Sequence, residues 1–187
     1  TWHDHANEGV APMVWLDGLD VPLVNYLEAG FYNQYQEERQ SLTKPNELSL
    51  RLFGAGTLTP TWQRQKGIHS PLLNYKWERT QEMLSQLAAA SEESPYDGVS
   101  VEYTNPTTGG PVLATMACFA QMLKPGILTK AHRHVGSTVY HVVSGQGYSV
   151  IGGHRFDWEE KDTFVVPSWA WHEHYANDEA YLFSYND

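Results

Sequence analysis

Trp2-His3-Asp4-His5 recurs close to the far end of the chain as Trp171-His172-Glu173-His174. Each copy is followed by a short polar stretch and then an apolar run: Met13-Val14-Trp15-Leu16 after the first, Tyr181-Leu182-Phe183 after the second. Asp20 and Asp187 then fall at nearly corresponding places. A repeat of this period constrains architecture more than local propensity does, because each copy belongs to its own structural unit. The chain of 187 residues therefore starts and stops at about the same phase of a repeat roughly one domain long. The economical expectation is a piece of a two-domain protein, running from late in the first domain to late in the second.

Composition narrows the function classes. At 41% hydrophobic and 18% charged, the chain has apolar material for a real core. Twelve basic against 22 acidic residues give a net charge of −10, which repels phosphate backbones and argues against nucleic-acid binding. No apolar run approaches the ~20 residues of a membrane helix, so no membrane partner is expected. One cysteine, Cys118, cannot form an internal disulfide; a reducing, cytoplasmic compartment follows, with the thiol serving as a small hydrophobe in a strand.

The expected organisation has three parts: residues 1–22 as the tail of a truncated first domain, 23–99 as a linker, and 100–187 as an all-β domain. Residues 12–20 read as a strand, 23–39 as a weak helix or loop, and 41–69, with Pro45, Pro60, Gly54, Gly56 and Gly67, as a wandering connection. Ser70-Pro71 predicts a helix over 70–91, with Ser70 as N-cap, Pro71 in the first turn, and Leu73, Trp77, Leu84 and Ala88 on one face. Beyond Pro111, apolar runs at 112–123, 138–143, 148–151, 162–166 and 181–184 are punctuated by Ser144-Gly145-Gln146-Gly147, Gly152-Gly153 and Pro167. Many short strands with such turns predict a sandwich or barrel.

Three of the nine histidines have spacing that carries chemistry. His132 and His134 flank Arg133, so an extended segment presents both imidazoles on one face. His172 follows Pro167 and the run at 162–166. Two ligands from one segment and a third from across a barrel make a facial triad with open positions.

Gly126-(five residues)-His132-Arg133-His134-(three residues)-Thr138-(six residues)-Gly145 resembles the first cupin motif, and Lys161-(five residues)-Pro167-(four residues)-His172 the second. The chain departs from that pattern twice: Thr138 stands where many cupins carry a metal-binding Glu, and Lys161 where Gly is usual. With Trp2-His3-Asp4-His5, Trp15-Leu16-Asp17-Gly18-Leu19-Asp20, Ser70-Pro71-Leu72-Leu73-Asn74-Tyr75 and Pro167-Ser168-Trp169-Ala170-Trp171-His172-Glu173-His174, it resembles the gentisate 1,2-dioxygenase family of bicupin ring-cleaving dioxygenases, which includes salicylate and 1-hydroxy-2-naphthoate dioxygenases.

The resemblance implies a mainly β cupin, a jelly-roll barrel, preceded by a helical linker and the tail of a first cupin. It implies Fe(II) held by His132, His134 and His172, with His3 as the third ligand of the first cupin. It implies gentisate and dioxygen as substrates, maleylpyruvate as product, and a homo-oligomer, often a tetramer. His174, His5 and Asp17 hold the places of catalytic groups, a near-neutral imidazole being suited to moving a proton. Arg133 and Arg155 are candidate partners for a substrate carboxylate. A metal-bearing but non-catalytic half with an assembly role is one alternative and a related salicylate or hydroxynaphthoate dioxygenase, whose relatives share the pattern, another; a sugar-phosphate isomerase would need a carboxylate at position 138 and basic phosphate contacts. His174 is read equally as a satisfied polar group, and Trp2, Trp15, Trp169 and Trp171 as packing residues.

Overall fold

Inward and outward side chains alternate so regularly after Thr138 that the strands can be traced from burial alone. In the computed structural model, β3 (Thr138–Ser144) buries Thr138, Tyr140 and Val142 while the residues between them are half-buried. The next strand, β4 (Gly147–Ile151), buries Gly147, Ser149 and Ile151 in the same way, and β7 (His172–Ala176) buries His172, His174 and Ala176. Period-two alternation of this kind is what a pleated strand with one face on a core requires. The structure describes residues 2–56, 58–62, 67–90 and 92–187.

By contacts the chain divides into Thr1–Leu48 and Ser49–Asp187. The described part of the first unit contains one short helix, α1 (Val21–Tyr26), with Pro22 in its first turn. The strand expected at 12–20 is not formed, and 27–39 carries no helix. Here Trp2 donates its indole N–H to Asn33 O and packs edge-on against Tyr35, while Asp4 accepts the Gln40 N–H.

The second unit holds two antiparallel sheets. One runs β1-β2-β8-β3-β6 and the other β5-β4-β7, with β1 at Val99–Glu102, β2 at Ala117–Leu123, β5 at His154–Trp158, β6 at Thr163–Val166 and β8 at Ala180–Asn186. Leu123, Tyr140, Val142, Ile151, Trp158, Val166, Ala176, Ala180 and Leu182 fill the space between them. This is the expected cupin sandwich.

Two glycines make the tight β3–β4 connection possible. Gly145 has φ +91, and a Cβ there would meet Ala180 at 2.7 Å; a Cβ on Gly147 would overlap the Tyr175 carbonyl oxygen and the Trp158 ring. Lys161, where the cupin motif usually has Gly, takes φ +78 in the turn before β6, so the backbone has kept the glycine conformation without the glycine.

A second cluster joins the sheet to a helix. Leu84 on α3 (Trp77–Ala90) is fully buried with Val99, Ala120, Met122 and Tyr181, and Trp77 stands perpendicular to the Tyr181 ring. This helix begins seven residues after the expected start at Ser70. The Ser70 hydroxyl accepts the Leu72 N–H and bonds the Tyr75 hydroxyl at 2.8 Å, so its capping capacity is spent on a local turn. Leu73 is correspondingly exposed rather than on the packed face. The expected helix end at Ser91 lies outside the described residues. A further short helix, α2 (Leu48–Phe53), arises inside the segment read as connection and buries Phe53.

Candidate metal centre

β7 has β4 on one side only; its other edge is covered by the segment just before β3. Leu128 and His132 form bridges with Tyr175 and His172, and Thr129 N–H donates to His174 O at 2.9 Å. His132 and His172 exchange backbone hydrogen bonds in both directions, at 3.0 and 2.9 Å. That reciprocal pair sets the two side chains beside one another, and His134 follows on the same face by alternation. Ring centroids are 4.1 Å apart for His132–His172, 5.0 Å for His134–His172 and 5.9 Å for His132–His134. One ring nitrogen from each of the three lies within 4.8 Å of the others.

Hydrogen bonding sets the direction of these rings. Nδ1 of His134 faces Gly136 O at 2.8 Å, Nδ1 of His172 faces Ala170 O at 3.1 Å, and Nδ1 of His132 faces Lys130 O at 3.4 Å. A carbonyl oxygen only accepts, so each Nδ1 carries a proton, and Nε2 is the nitrogen each ring can offer to a metal. The Nε2 of His172 is buried with no protein partner, a costly position for a lone pair unless something binds it. Burial pushes the His172 pKa down to about 4, which keeps the ring neutral and ready to ligate. Three imidazoles whose ring nitrogens converge in this way fit a divalent transition metal.

His174 lies one inward position further along β7 and is fully buried. Ser149 Oγ accepts the indole N–H of Trp158 at 3.0 Å and sits 2.8 Å from His174 Nδ1. The serine hydroxyl thus ties His174 Nδ1 and the Trp158 indole together, fixing the orientation of the imidazole ring. The His174 Nε2 has no protein partner, nor has Thr138 Oγ1, at the position of the missing motif Glu. Tyr140 and Phe164 border the ring at 5.0 and 6.0 Å. This apolar setting pushes the His174 pKa down to about 3.

The other expected site residues are placed differently. His3 and His5 lie in the first unit, exposed, their rings 5.3 Å apart, and His5 stacks on Trp15 at 4.8 Å. Asp17 is also exposed. Arg133 points away from the triad, as alternation demands, its guanidinium between the rings of Trp169 and Trp171 at 4.3 and 4.5 Å. Arg155 is exposed, paired with Asp157 at 2.6 Å and stacked on Tyr148. Both arginines thus have other partners. Cys118 is half-buried, and burial raises its thiol pKa, which suits packing better than reactivity.

One residue near the triad has no motif to announce it. Asp97, in the turn before β1, places Oδ1 3.5 Å from His132 Nε2. The Tyr96 ring meets His132 edge-on at 5.5 Å.

Two sheets enclosing a convergent His-x-His plus His give a cupin-type arrangement that could hold a metal ion, and residues 119–184 match the cupin domain family. The particular relationship is with ring-cleaving dioxygenases over the whole length of the chain. The chain is 43% identical over 186 residues to gentisate 1,2 dioxygenase 1 of Aquipseudomonas alcaligenes, covering 100% of this chain and 53% of that protein. It is 43% identical to 5-aminosalicylate 1,2-dioxygenase of Comamonas sp. (100% and 50%) and 36% identical to 1-hydroxy-2-naphthoate 1,2-dioxygenase of Nocardioides sp. (100% and 48%). Among solved structures, salicylate 1,2-dioxygenase of Pseudoaminobacter salicylatoxidans with gentisate superposes with a TM-score of 0.82 at 32% identity, over 90% of this chain and 48% of that one. The chain spans about half the length of the curated relatives it matches.

Proposed function

We propose that the protein to which this chain belongs is an Fe(II)-dependent dioxygenase that opens the ring of gentisate to give maleylpyruvate, with this chain contributing its second cupin. The observation that carries the reading is the set of three convergent imidazoles, in a chain related throughout to gentisate and salicylate dioxygenases. Fe(II), when bound, would supply Lewis-acid and redox chemistry for a chelating hydroxy acid and dioxygen.

His132, His134 and His172 are the groups to hold the ion. His174, with its ring fixed by Ser149 and its Nε2 turned inward without a protein partner, is the group to hold a proton or a hydrogen-bond partner at the interior end of the site. Tyr140 and Phe164 keep water from that end. Residues 1–22, with the first Trp-His-acid-His copy, are read as the tail of a first cupin, in which His3 ligates while His5 and Asp17 assist. A tetrameric assembly and a cytoplasmic location complete the reading; among the described residues no helix is long and apolar enough to cross a membrane.

A second reading, a metal-bearing half with an assembly role, is favoured by Arg133 and Arg155 being engaged away from the triad. The test is to load the chain with Fe(II) anaerobically, add gentisate and oxygen, and follow oxygen uptake and the ring-opened acid by mass spectrometry. Turnover supports a competent second cupin. Stoichiometric iron without turnover supports the assembly role, and no iron overturns the metal centre.

A further inference from the structure

A bulky side chain on left-handed backbone is an outlier that points to a local constraint, and Trp169 is one. Its φ is +63, three residues before the ligand His172, yet its side chain is 53% exposed and adds little to the core. Glycine would take this backbone without strain. What the indole does touch is Arg133, whose guanidinium carbon lies 4.3 Å from its ring and 4.5 Å from that of Trp171. The cation is held between two indoles, on the face opposite the three imidazoles.

The residues so joined come from the two segments that carry the triad. Arg133 stands between His132 and His134, while Trp169 and Trp171 lead into His172. Trp169 N–H donates to His134 O at 2.9 Å, Ser168 N–H to Ser137 Oγ at 3.2 Å, and Ser168 Oγ to Val135 O. The turn closes on itself where Ala170 N–H donates to Pro167 O at 3.1 Å. Ala170 O, the next carbonyl after Trp169, is the acceptor that holds Nδ1 of His172. The left-handed residue therefore helps to aim the carbonyl that orients a ligand ring.

We propose that Trp169, Arg133 and Trp171 form a staple that positions the histidine triad, holding the segment of His132 and His134 against that of His172 from the side away from the site. The proposal rests on the three-histidine reading and adds to it residues that touch neither metal nor substrate. Strain at Trp169 is tolerated because an aromatic ring there covers the guanidinium, which glycine cannot do.

The test compares the wild-type chain with Arg133→Ala, Trp169→Gly, Trp169→Phe and Arg155→Ala. The last removes a similar contact, with Tyr148 at 3.9 Å, that joins β5 to β4 and no ligand-bearing segment. One readout is amide hydrogen exchange of the metal-free protein; the other is Co(II) affinity by competition with a chromophoric chelator. Arg133→Ala should speed exchange at the His132 and His172 amides by about 5–30-fold, the factor that two exposed cation–π contacts supply, and Trp169→Gly by about 2–5-fold. Arg133→Ala should weaken Co(II) binding by about tenfold and alter the visible absorption of the Co(II) form, with a smaller loss in Trp169→Gly. The urea midpoint of metal-free Trp169→Gly should stay at or above that of wild type, since glycine relieves the backbone. Trp169→Phe should recover most of each loss, and Arg155→Ala should match wild type.

Wild-type exchange and Co(II) binding in Arg133→Ala and Trp169→Gly overturn the proposal. So does a loss matched by Arg155→Ala, a Trp169→Gly midpoint well below wild type, or exchange that quickens evenly over both sheets, any of which makes the effect one of general stability. A wild type that takes no Co(II), or a His172→Ala that takes it equally well, defeats the three-histidine reading instead, and the exchange result still decides whether the staple holds those segments.

Discussion

Replacing Ser149 with alanine removes one oxygen from the centre of the sandwich and strands two buried groups at once. Ser149 is fully buried on β4, and its Oγ serves both the Trp158 indole N–H, at 3.0 Å, and His174 Nδ1, at 2.8 Å. Trp158 and His174 are themselves 4% and 1% exposed, so water does not take the place of the lost hydroxyl. Each buried polar group left unpaired costs about 1–3 kcal/mol, so the pair should cost about 2–6 kcal/mol. The comparison is Ser85→Ala on the exposed side of α3, where the hydroxyl bonds only Gln81 O at 2.9 Å. That change should be neutral or slightly stabilising, because alanine is the better helix former. Equilibrium urea unfolding of the metal-free protein, followed by tryptophan fluorescence, measures both. A Ser149→Ala loss under about 1 kcal/mol, or one no larger than that of Ser85→Ala, would refute the reasoning.

Lys161→Gly should stabilise the protein by about 0.5–1 kcal/mol in thermal or urea unfolding, since the residue at φ +78 is not a glycine and its ion pair with Glu160 is solvent-exposed. Gly147→Ala should destabilise by about 1–3 kcal/mol or more, because its Cβ would collide with Tyr175 O and Trp158; unchanged unfolding would mean the β3–β4 connection is looser than described. His174 is held neutral in the fold, with a pKa of about 3 against 6.5 in the open chain, so acid protonates the unfolded state first. Stability of the metal-free protein should therefore be fully present above pH 6.5 and decline toward pH 3, with about 2 kcal/mol lost to this group by pH 5; His174→Gln should flatten that slope. His172→Ala, which removes the ligand with the buried and unpartnered Nε2, should lower divalent-metal affinity by at least about 100-fold in chelator competition while the far-ultraviolet circular dichroism is retained.

What could be read in advance followed physical signal strength. β3, β4 and β6 were legible because Tyr140, Val142, Ile151 and Val166 stand in short apolar runs between glycine and proline turns. The strand β5, His-Arg-Phe-Asp-Trp, buries only Trp158 and alternates over too short a polar stretch to stand out, so its partnership with β4 is what makes it a strand. On β7 the inward residues are histidines, and a polar core face carries no hydrophobic pattern. The Ser70-Pro71 signature was genuine turn chemistry, used one step too early for a helix. The triad was legible because His-x-His depends only on strand periodicity, and the downstream proline and histidine completed a motif. Asp97 was not: its approach to His132 depends on how the turn at Ser94–Gly98 folds against Gln121 and Lys130, a tertiary arrangement with no local imprint. Nor could spacing show that Arg133 would lie between two indoles instead of facing substrate.

The reciprocal bridge between His132 and His172 has a consequence for the order of assembly. In a nascent or denatured chain only two of the triad's imidazoles, at 132 and 134, are neighbours; the third joins them when distant segments zip together along the edge of β7. Loading is thus an event that follows closure, and the vessel is complete before it is filled.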